Sequence, residues 1–275
     1  MNRLCNLLYN YMEARMQRHV GRRVLITGAG NGIGMAAARF FTREGARLFL
    51  VDIDANALAT TLRELPTGHE ALSRAASVTD GAAMAAVADD MAAAFGGIDA
   101  VVNSAGVVVV EPALEARIDV FRKVIEVNLV GTWIVCQAAA RHMAKAGSGS
   151  IVNISSVYGF QGAPNRTAYC ASKGGVVNLT NSLAVEWGPL GIRVNSVAPT
   201  GTRTPMVQGL IDRGIYDVDA VSRRTPLRRI AEPEEIAAAC GFLVSDEAGM
   251  TTGHHLAVDG GWLANGFLMA PKPDA

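Results

Sequence analysis

Three features of the sequence predict a doubly wound α/β fold, a mostly parallel seven-stranded sheet with helices on both faces. Short β-branched runs lack the polar alternation of a half-exposed strand, as strands buried on both faces do. Those runs alternate with longer helical stretches, which is the pattern of successive βαβ units. A glycine-rich turn, "TGAGNGIG" (27–34), follows the first run and opens the first helical stretch. "RVLIT" (23–27) reads as the first buried strand, followed by a helix from about Gly32 to Glu44. "RLFLV" (47–51) is the second strand, a further strand is expected after "HEALSRAAS", and "AMAAVADDMAAAF" (83–95) is helical. "IDAVVN" (98–103) precedes a long helix ending near Lys145, and "SIVNIS" (150–155) precedes a helix over 167–187. "IRVNSV" (192–197), the helix "PEEIAAACGFLV" (233–244) and the strand "HLAVD" (255–259) complete the set. The Pro/Gly-punctuated stretch 200–230 is too long for a plain loop and is expected to form a lid.

Composition narrows the function classes. With 275 residues, half of them apolar, the chain is long enough for one large core. One domain over 21–275 after an extension at 1–20 is the simplest organisation, since no repeat or linker interrupts the pattern. Formal net charge is zero, which gives no electrostatic footprint for nucleic acid or an anionic membrane. No run is apolar and long enough to span a bilayer, and "MNRLCNLLYNYMEARMQRH" reads as a weakly amphipathic extension. Cys5, Cys136, Cys170 and Cys240 are scattered, so neither a disulfide framework nor a zinc site is expected, and a reducing cytoplasm fits best.

Several residues stand out on chemical grounds. In the glycine turn, Gly28, Gly32 and Gly34 follow a G-x-x-x-G-x-G spacing, which permits close backbone approach to a pyrophosphate at a helix N-terminus. Asp52 ends the second strand, where a carboxylate either accepts from a ribose or caps the next helix. In "TAYCASK" (167–173), Tyr169 and Lys173 lie four residues apart and share a helix face. Such a pair is either an ordinary helix pair or a tuned phenol. Cys170 points elsewhere on the helix, as packing, and the adjacent His254 and His255 read as structural or surface residues.

Taken together, the motifs resemble the short-chain dehydrogenase/reductase family from about Gly21 to Trp262. The resemblance rests on Thr27-Gly28-x-x-x-Gly32-x-Gly34, "NSAG" (103–106), Asn128 in "VNLVG", "IVNISS" (151–156), Tyr169-x-x-x-Lys173, "RVNSVAP" (193–199) and "VDGGW" (258–262). The family's serine stands thirteen residues before the tyrosine, which selects Ser156 over Ser155. Departures are Ser104 in place of a second asparagine, Thr200 in place of a glycine, and Ser77-Val78 in place of an acid–hydrophobic pair.

The resemblance implies a Rossmann-like domain that binds NAD and moves a hydride between the cofactor and a secondary alcohol or ketone. Tyr169 is then the general acid/base, Ser156 holds the substrate oxygen, Lys173 tunes the phenol and binds ribose, and Asn128 holds a relaying water. Read without the resemblance, Ser156 is a strand-end hydroxyl and Asn128 a satisfied buried amide. A cation about 4 Å from the phenol at an effective dielectric of about 20 is worth roughly 4 kcal/mol, or about three pKa units. The implied cofactor contacts are Gly28, Asn31, Gly32, Ile33, Gly34, Asp52, Ile53, Val78, Asn103, Ala105, Gly106, Tyr169, Lys173, Pro199, Thr200, Thr202 and Thr204. Substrate contacts are expected from Ser156, Tyr158, Phe160, Tyr169 and Met206, with Leu210 and Tyr216 adding apolar lining. The six arginines between Arg203 and Arg229 either attract an anion or form a solvated face. Asp52, with no cation in the glycine turn or at Ile53, implies NAD over NADP. The family further implies a homotetramer; the tail "WLANGFLMAPKPDA", longer and more apolar than solubility alone requires, either covers a neighbouring subunit or does not contact one. A cofactor-binding scaffold without turnover is the alternative reading.

Overall fold

The computed structural model describes residues 18–266 apart from 67 and 69. Most of the N-terminal extension and the end of the C-terminal tail lie outside the described residues. Seven parallel strands run in the order β3-β2-β1-β4-β5-β6-β7: β1 (Arg23–Thr27), β2 (Arg47–Asp52), β3 (Ala71–Ala75), β4 (Ala100–Asn103), β5 (Gly149–Ile154), β6 (Ile192–Pro199) and β7 (His255–Val258). The order reverses between β1 and β4, which pair with Val24 opposite Ala100 and Thr27 opposite Asn103. A crevice at the carboxyl ends of strands is the usual ligand site at such a reversal.

The missing polar alternation has a direct cause. Val24 and Ile26 pack with Leu48, Leu50, Ala37, Phe41 and Leu58 on one face. Leu25, Phe49 and Val51 pack with Met84, Met91, Cys136 and Met143 on the other. Successive side chains alternate faces, but both faces are covered. On the first face lie α1 (Gly32–Arg43), α2 (Ala55–Glu64) and α9 (Pro233–Val244); on the second lie α3 (Gly81–Phe95), α5 (Gly131–Ala146) and α6 (Thr167–Trp187).

Local chemistry marks the element ends. Asp54 caps α2 by accepting from the Asn56 and Ala57 amides, and Asp80 caps α3 through Ala83. Gly96 and Gly147 end α3 and α5 in the left-handed conformation. The expected long helix ending near Lys145 is interrupted: α4 (Ile118–Ile125) passes through a π-turn (Glu126–Val130) into α5. The stretch 200–230 contains two short helices, α7 (Pro205–Asp212) and α8 (Val218–Arg224).

Candidate active site

A cleft of about 550 Å³ opens at the carboxyl ends of β1, β2, β4 and β5. Its floor is the glycine turn. Gly28 has φ +65°, and a Cβ there would lie 2.7 Å from the Ala105 nitrogen. A Cβ on Gly34 would overlap the Gly28 carbonyl. Asn31, which precedes α1, makes no side-chain cap, so no side chain competes for the first-turn amides. Asp52 accepts from the Gly30 amide (2.9 Å) and the Asp54 amide (3.0 Å), which fixes both oxygens and leaves each a further lone pair. It does not cap α2; Asp54 does. A glycine cradle, uncapped helix amides and a fixed carboxylate are a donor and acceptor set suited to a dinucleotide.

Ile33, Ile53, Val78, Ala105, Gly106, Thr204 and Met206 also line this cleft, together with Tyr169 and Lys173. Ser77, Ser104, Val107, Lys123, Val127, Ile154 and Pro205 complete it and were not among the expected contacts. Thr204 caps α7 and its methyl group packs over Gly32, so the lid helix starts on the glycine turn.

Among the expected contacts, Gly34, Asn103, Ser156, Tyr158, Phe160, Pro199, Thr200 and Thr202 are not part of the cleft wall. Asn103 turns into the core, donating to Asn153 Oδ1 (2.9 Å) and Cys136 Sγ, because β4 is buried on both faces. Thr200 lines a separate cavity with Pro226 and Asp259. The backbone there is drawn aside by the Thr202–Ala231 bridge, and Pro199 and Thr202 lie outside the cleft lining with it. Phe160 packs edge-on against His255 (5.5 Å), carried off by the 3₁₀ turn Val157–Gly159.

The reactive pair sits on α6. Tyr169 is half-buried and Lys173 buried, and the ammonium lies 5.7 Å from the Tyr169 ring centroid while donating to the Ile154 carbonyl (2.8 Å). Loss of solvation pushes the phenol up to about 12, opposed by the Ser156 side chain, which hydrogen-bonds the phenolate form. Burial lowers Lys173 to about 8. The expected depression of the phenol by its lysine is not what burial alone produces: loss of water raises Tyr169 and lowers Lys173. Ser156 Oγ also accepts from the Tyr158 amide (3.1 Å).

Asn128 lies in the π-turn, fully buried. Its Oδ1 accepts from the Val107 amide (2.8 Å), and its Nδ2 donates to the Val107 carbonyl (2.9 Å) and to Ser172 Oγ (3.0 Å). Both amide protons are engaged, so the side chain is a satisfied buried amide and cannot donate to a water. Thr132 donates to the Asn128 backbone carbonyl (2.7 Å).

A second cavity, of about 640 Å³, opens at the other end of the sheet beside Arg22, Gly191 and Arg193. Its arginines are committed: Arg193 donates to the carbonyls of Leu243, Val244, Ser245 and Thr251, and Arg22 to Val244 and Asp246. They close the C-terminus of α9 rather than await an anion.

Residues 28–263 match a family model described as Enoyl-(Acyl carrier protein) reductase. The chain is 44% identical to cis-4-hydroxycyclohexanecarboxylate dehydrogenase of Sinomonas cyclohexanicum over 88% of its own length and 97% of that protein's. It is 42% identical to D-threitol dehydrogenase of Mycolicibacterium smegmatis over 88% and 93%. The crystal structure of levodione reductase superposes with a TM-score of 0.86 at 35% identity, covering 90% of this chain and 99% of that one. The chain belongs to the short-chain dehydrogenase/reductase family, as its motifs implied. It is an oxidoreductase acting on CH–OH donors.

Proposed function

We propose that the protein is an NAD-dependent dehydrogenase of a small secondary alcohol, with Tyr169 as general acid/base. The observation that carries this reading is the convergence of Tyr169, Lys173 and Ser156 at the end of the cleft whose other end is the glycine turn and Asp52. Relatives named for hydroxycyclohexanecarboxylate and threitol support an alcohol carbon as the reacting centre.

Gly28, Gly32 and Gly34 would admit the pyrophosphate, and Asp52 would accept from the adenosine ribose. When bound, the nicotinamide supplies the hydride acceptor or donor. Ser156 holds the substrate oxygen, and Tyr169 exchanges the proton with it. In ketone reduction the protonated phenol donates to the alkoxide, and in alcohol oxidation Tyr169 takes the proton; burial, which raises the phenol, favours its protonated form. Lys173, near 8 and bonded to Ile154, is the next proton carrier inward. Any water relay beyond it meets the Asn128 backbone carbonyl rather than its amide.

Asp52 repels a 2′-phosphate by about 4 kcal/mol at 4 Å with an effective dielectric of about 20. A third of that is about tenfold in favour of NAD. A homotetramer paired through α5 and α6 is supported by Trp133 and Val185, exposed on those helices. Among the described residues no helix is long and apolar enough to cross a membrane. Buried, unpaired Cys136 and Cys240 accord with a cytoplasmic location.

The raised phenol is also what a cofactor-binding scaffold without turnover would tolerate. NADH production from a panel of secondary alcohols, with Tyr169→Phe alongside, separates the two readings. The dehydrogenase reading expects turnover that Tyr169→Phe lowers by about 10²- to 10⁴-fold, with NAD affinity within a few fold. NAD binding without turnover across the panel would establish the scaffold instead.

A further inference from the structure

Outside the proton-transfer pair, one charged side chain at the substrate end of the site has no role in the mechanism above. Arg166 precedes α6 by one residue, in the turn Ala163-Pro164-Asn165-Arg166. That turn is built stiffly. Pro164 fixes its own φ, and Asn165 adopts φ +60°, a conformation few non-glycine residues take. The Asn165 carbonyl accepts from the Glu111 amide (2.9 Å), which ties the turn to the segment following β4.

The guanidinium lies 5.7 Å from the centroid of the Tyr158 ring, and the Tyr158 ring lies 6.4 Å from that of Tyr169. Its charge acts on the hydroxyls of both Tyr169 and Tyr216, so the three phenols and the one cation form a cluster. Tyr216 joins the cluster from the lid, its hydroxyl seated against Gly201, where any side chain would collide with it.

Neighbouring arginines are occupied. Arg117 pairs with Asp119, Arg203 with Glu232 and Arg229 with Glu235, while Arg224 stacks on Trp262 (4.2 Å) and donates to Gln161. Among the described residues Arg166 has no carboxylate within ion-pair distance; its one protein acceptor is the Pro164 carbonyl, at a long 3.4 Å. A guanidinium on a stiff turn with most of its donors unused, beside phenol hydroxyls, is a seat for an anion. One cation balances one charge, which suits a carboxylate and leaves a phosphate dianion uncompensated.

We infer that the substrate is a carboxylate-bearing secondary alcohol, and that Arg166, with the Tyr158 and Tyr216 hydroxyls, receives its carboxylate while the carbinol faces Tyr169 and Ser156. This rests on the dehydrogenase reading given above and narrows it to hydroxy acids.

The test compares 4-hydroxycyclohexanecarboxylate, its carboxamide and cyclohexanol at saturating NAD, in wild type, Arg166→Gln and Arg166→Lys, each first shown to be folded by its thermal midpoint. Cyclohexanol is the internal reference for every variant. The wild type should favour acid over amide by at least about tenfold in kcat/KM, carried by KM. Arg166→Gln should abolish that preference and Arg166→Lys restore part of it. An acid-to-amide ratio unchanged by Arg166→Gln, or an amide preferred by wild type, overturns the inference while the dehydrogenase reading stands. If no alcohol is oxidised, the dehydrogenase reading falls, and equilibrium binding of cyclohexanecarboxylate against cyclohexanecarboxamide decides the anion seat. An Arg166-dependent preference for the carboxylate upholds the seat, and equal binding refutes it.

Discussion

The two ends of the cleft recognise their ligands by different means. At the cofactor end, backbone forms most of the surface: Gly28, Gly32 and Gly34 are there because side chains would collide, and Asp52 is fixed by two main-chain amides. At the substrate end the surface is side chain: Tyr158, Tyr169, Tyr216 and Arg166, on a 3₁₀ turn, the start of α6 and the lid. A backbone surface tolerates almost no substitution and reads a shape common to many ligands. A side-chain surface can change its specificity one residue at a time while the scaffold stays intact.

The contrast is sharpest under Gly34→Ala. The new methyl group meets the Gly28 carbonyl, and overpacking of this kind costs about 3 kcal/mol, or roughly 6–10 °C in Tm for a chain of this size. Calorimetry should show the drop, and kcat/KM should fall by a common factor for all alcohols. A loss confined to one substrate would break the comparison.

The next effect enters beneath the cofactor end. His19 is buried against Phe40 and Phe41 of α1 (ring centroids 6.3 and 4.9 Å) without a regular hydrogen bond on either ring nitrogen. Burial, with Arg22 and Arg18 nearby, lowers it from 6.5 to about 4. The unfolded chain then binds a proton that the folded chain refuses, so the stability present above pH 6.5 is lost as pH falls towards 4. At most about 3 kcal/mol is at stake. Urea midpoints at pH 7 and pH 4.5 should converge in His19→Phe, and an unchanged pH dependence would contradict this origin.

Smaller still is the effect of Asp52→Ser, which should erase a preference for NAD over NADP of about tenfold. Steady-state efficiencies with both cofactors on one alcohol measure it. Equal efficiencies already in the wild type would show that the carboxylate does not meet the 2′ position.

Most of the backbone end was legible in the sequence, and at the side-chain end the three tyrosines were, but Arg166 was not. Six strands read from apolar runs because both sheet faces are buried there. The edge strand β3, expected after "HEALSRAAS", lies within it at Ala71–Ala75, where a largely exposed, polar-interrupted sequence gives no such signal. The bounds of α6 and α9 fall where the sequence reading put them, at 167–187 and 233–244. Helix α2 went unread because the signal that starts it, Asp54, stands two residues from an Asp52 with a different task. The π-turn was invisible because "EVNLV" continues the apolar pattern of its flanking helices. The burial of the phenol was not legible because spacing reports distance along a helix, not loss of water. Arg166 carries no motif, and only the fold sets it beside Tyr158, Tyr169 and Tyr216.

The π-turn also gives the molecule a phase. An α-helix advances about 100° per residue, so one residue added to a turn rotates everything beyond it relative to everything before. Asn128 sits at that offset, meeting Val107 on one side and Ser172 on the other. Deleting one residue from 126–130 would give a continuous, more regular helix. It would also turn either the Asn128 amide away from its partners or α5 away from its seat on the sheet. The irregularity is thus a clocking element, holding two helical segments at different rotational settings on one axis.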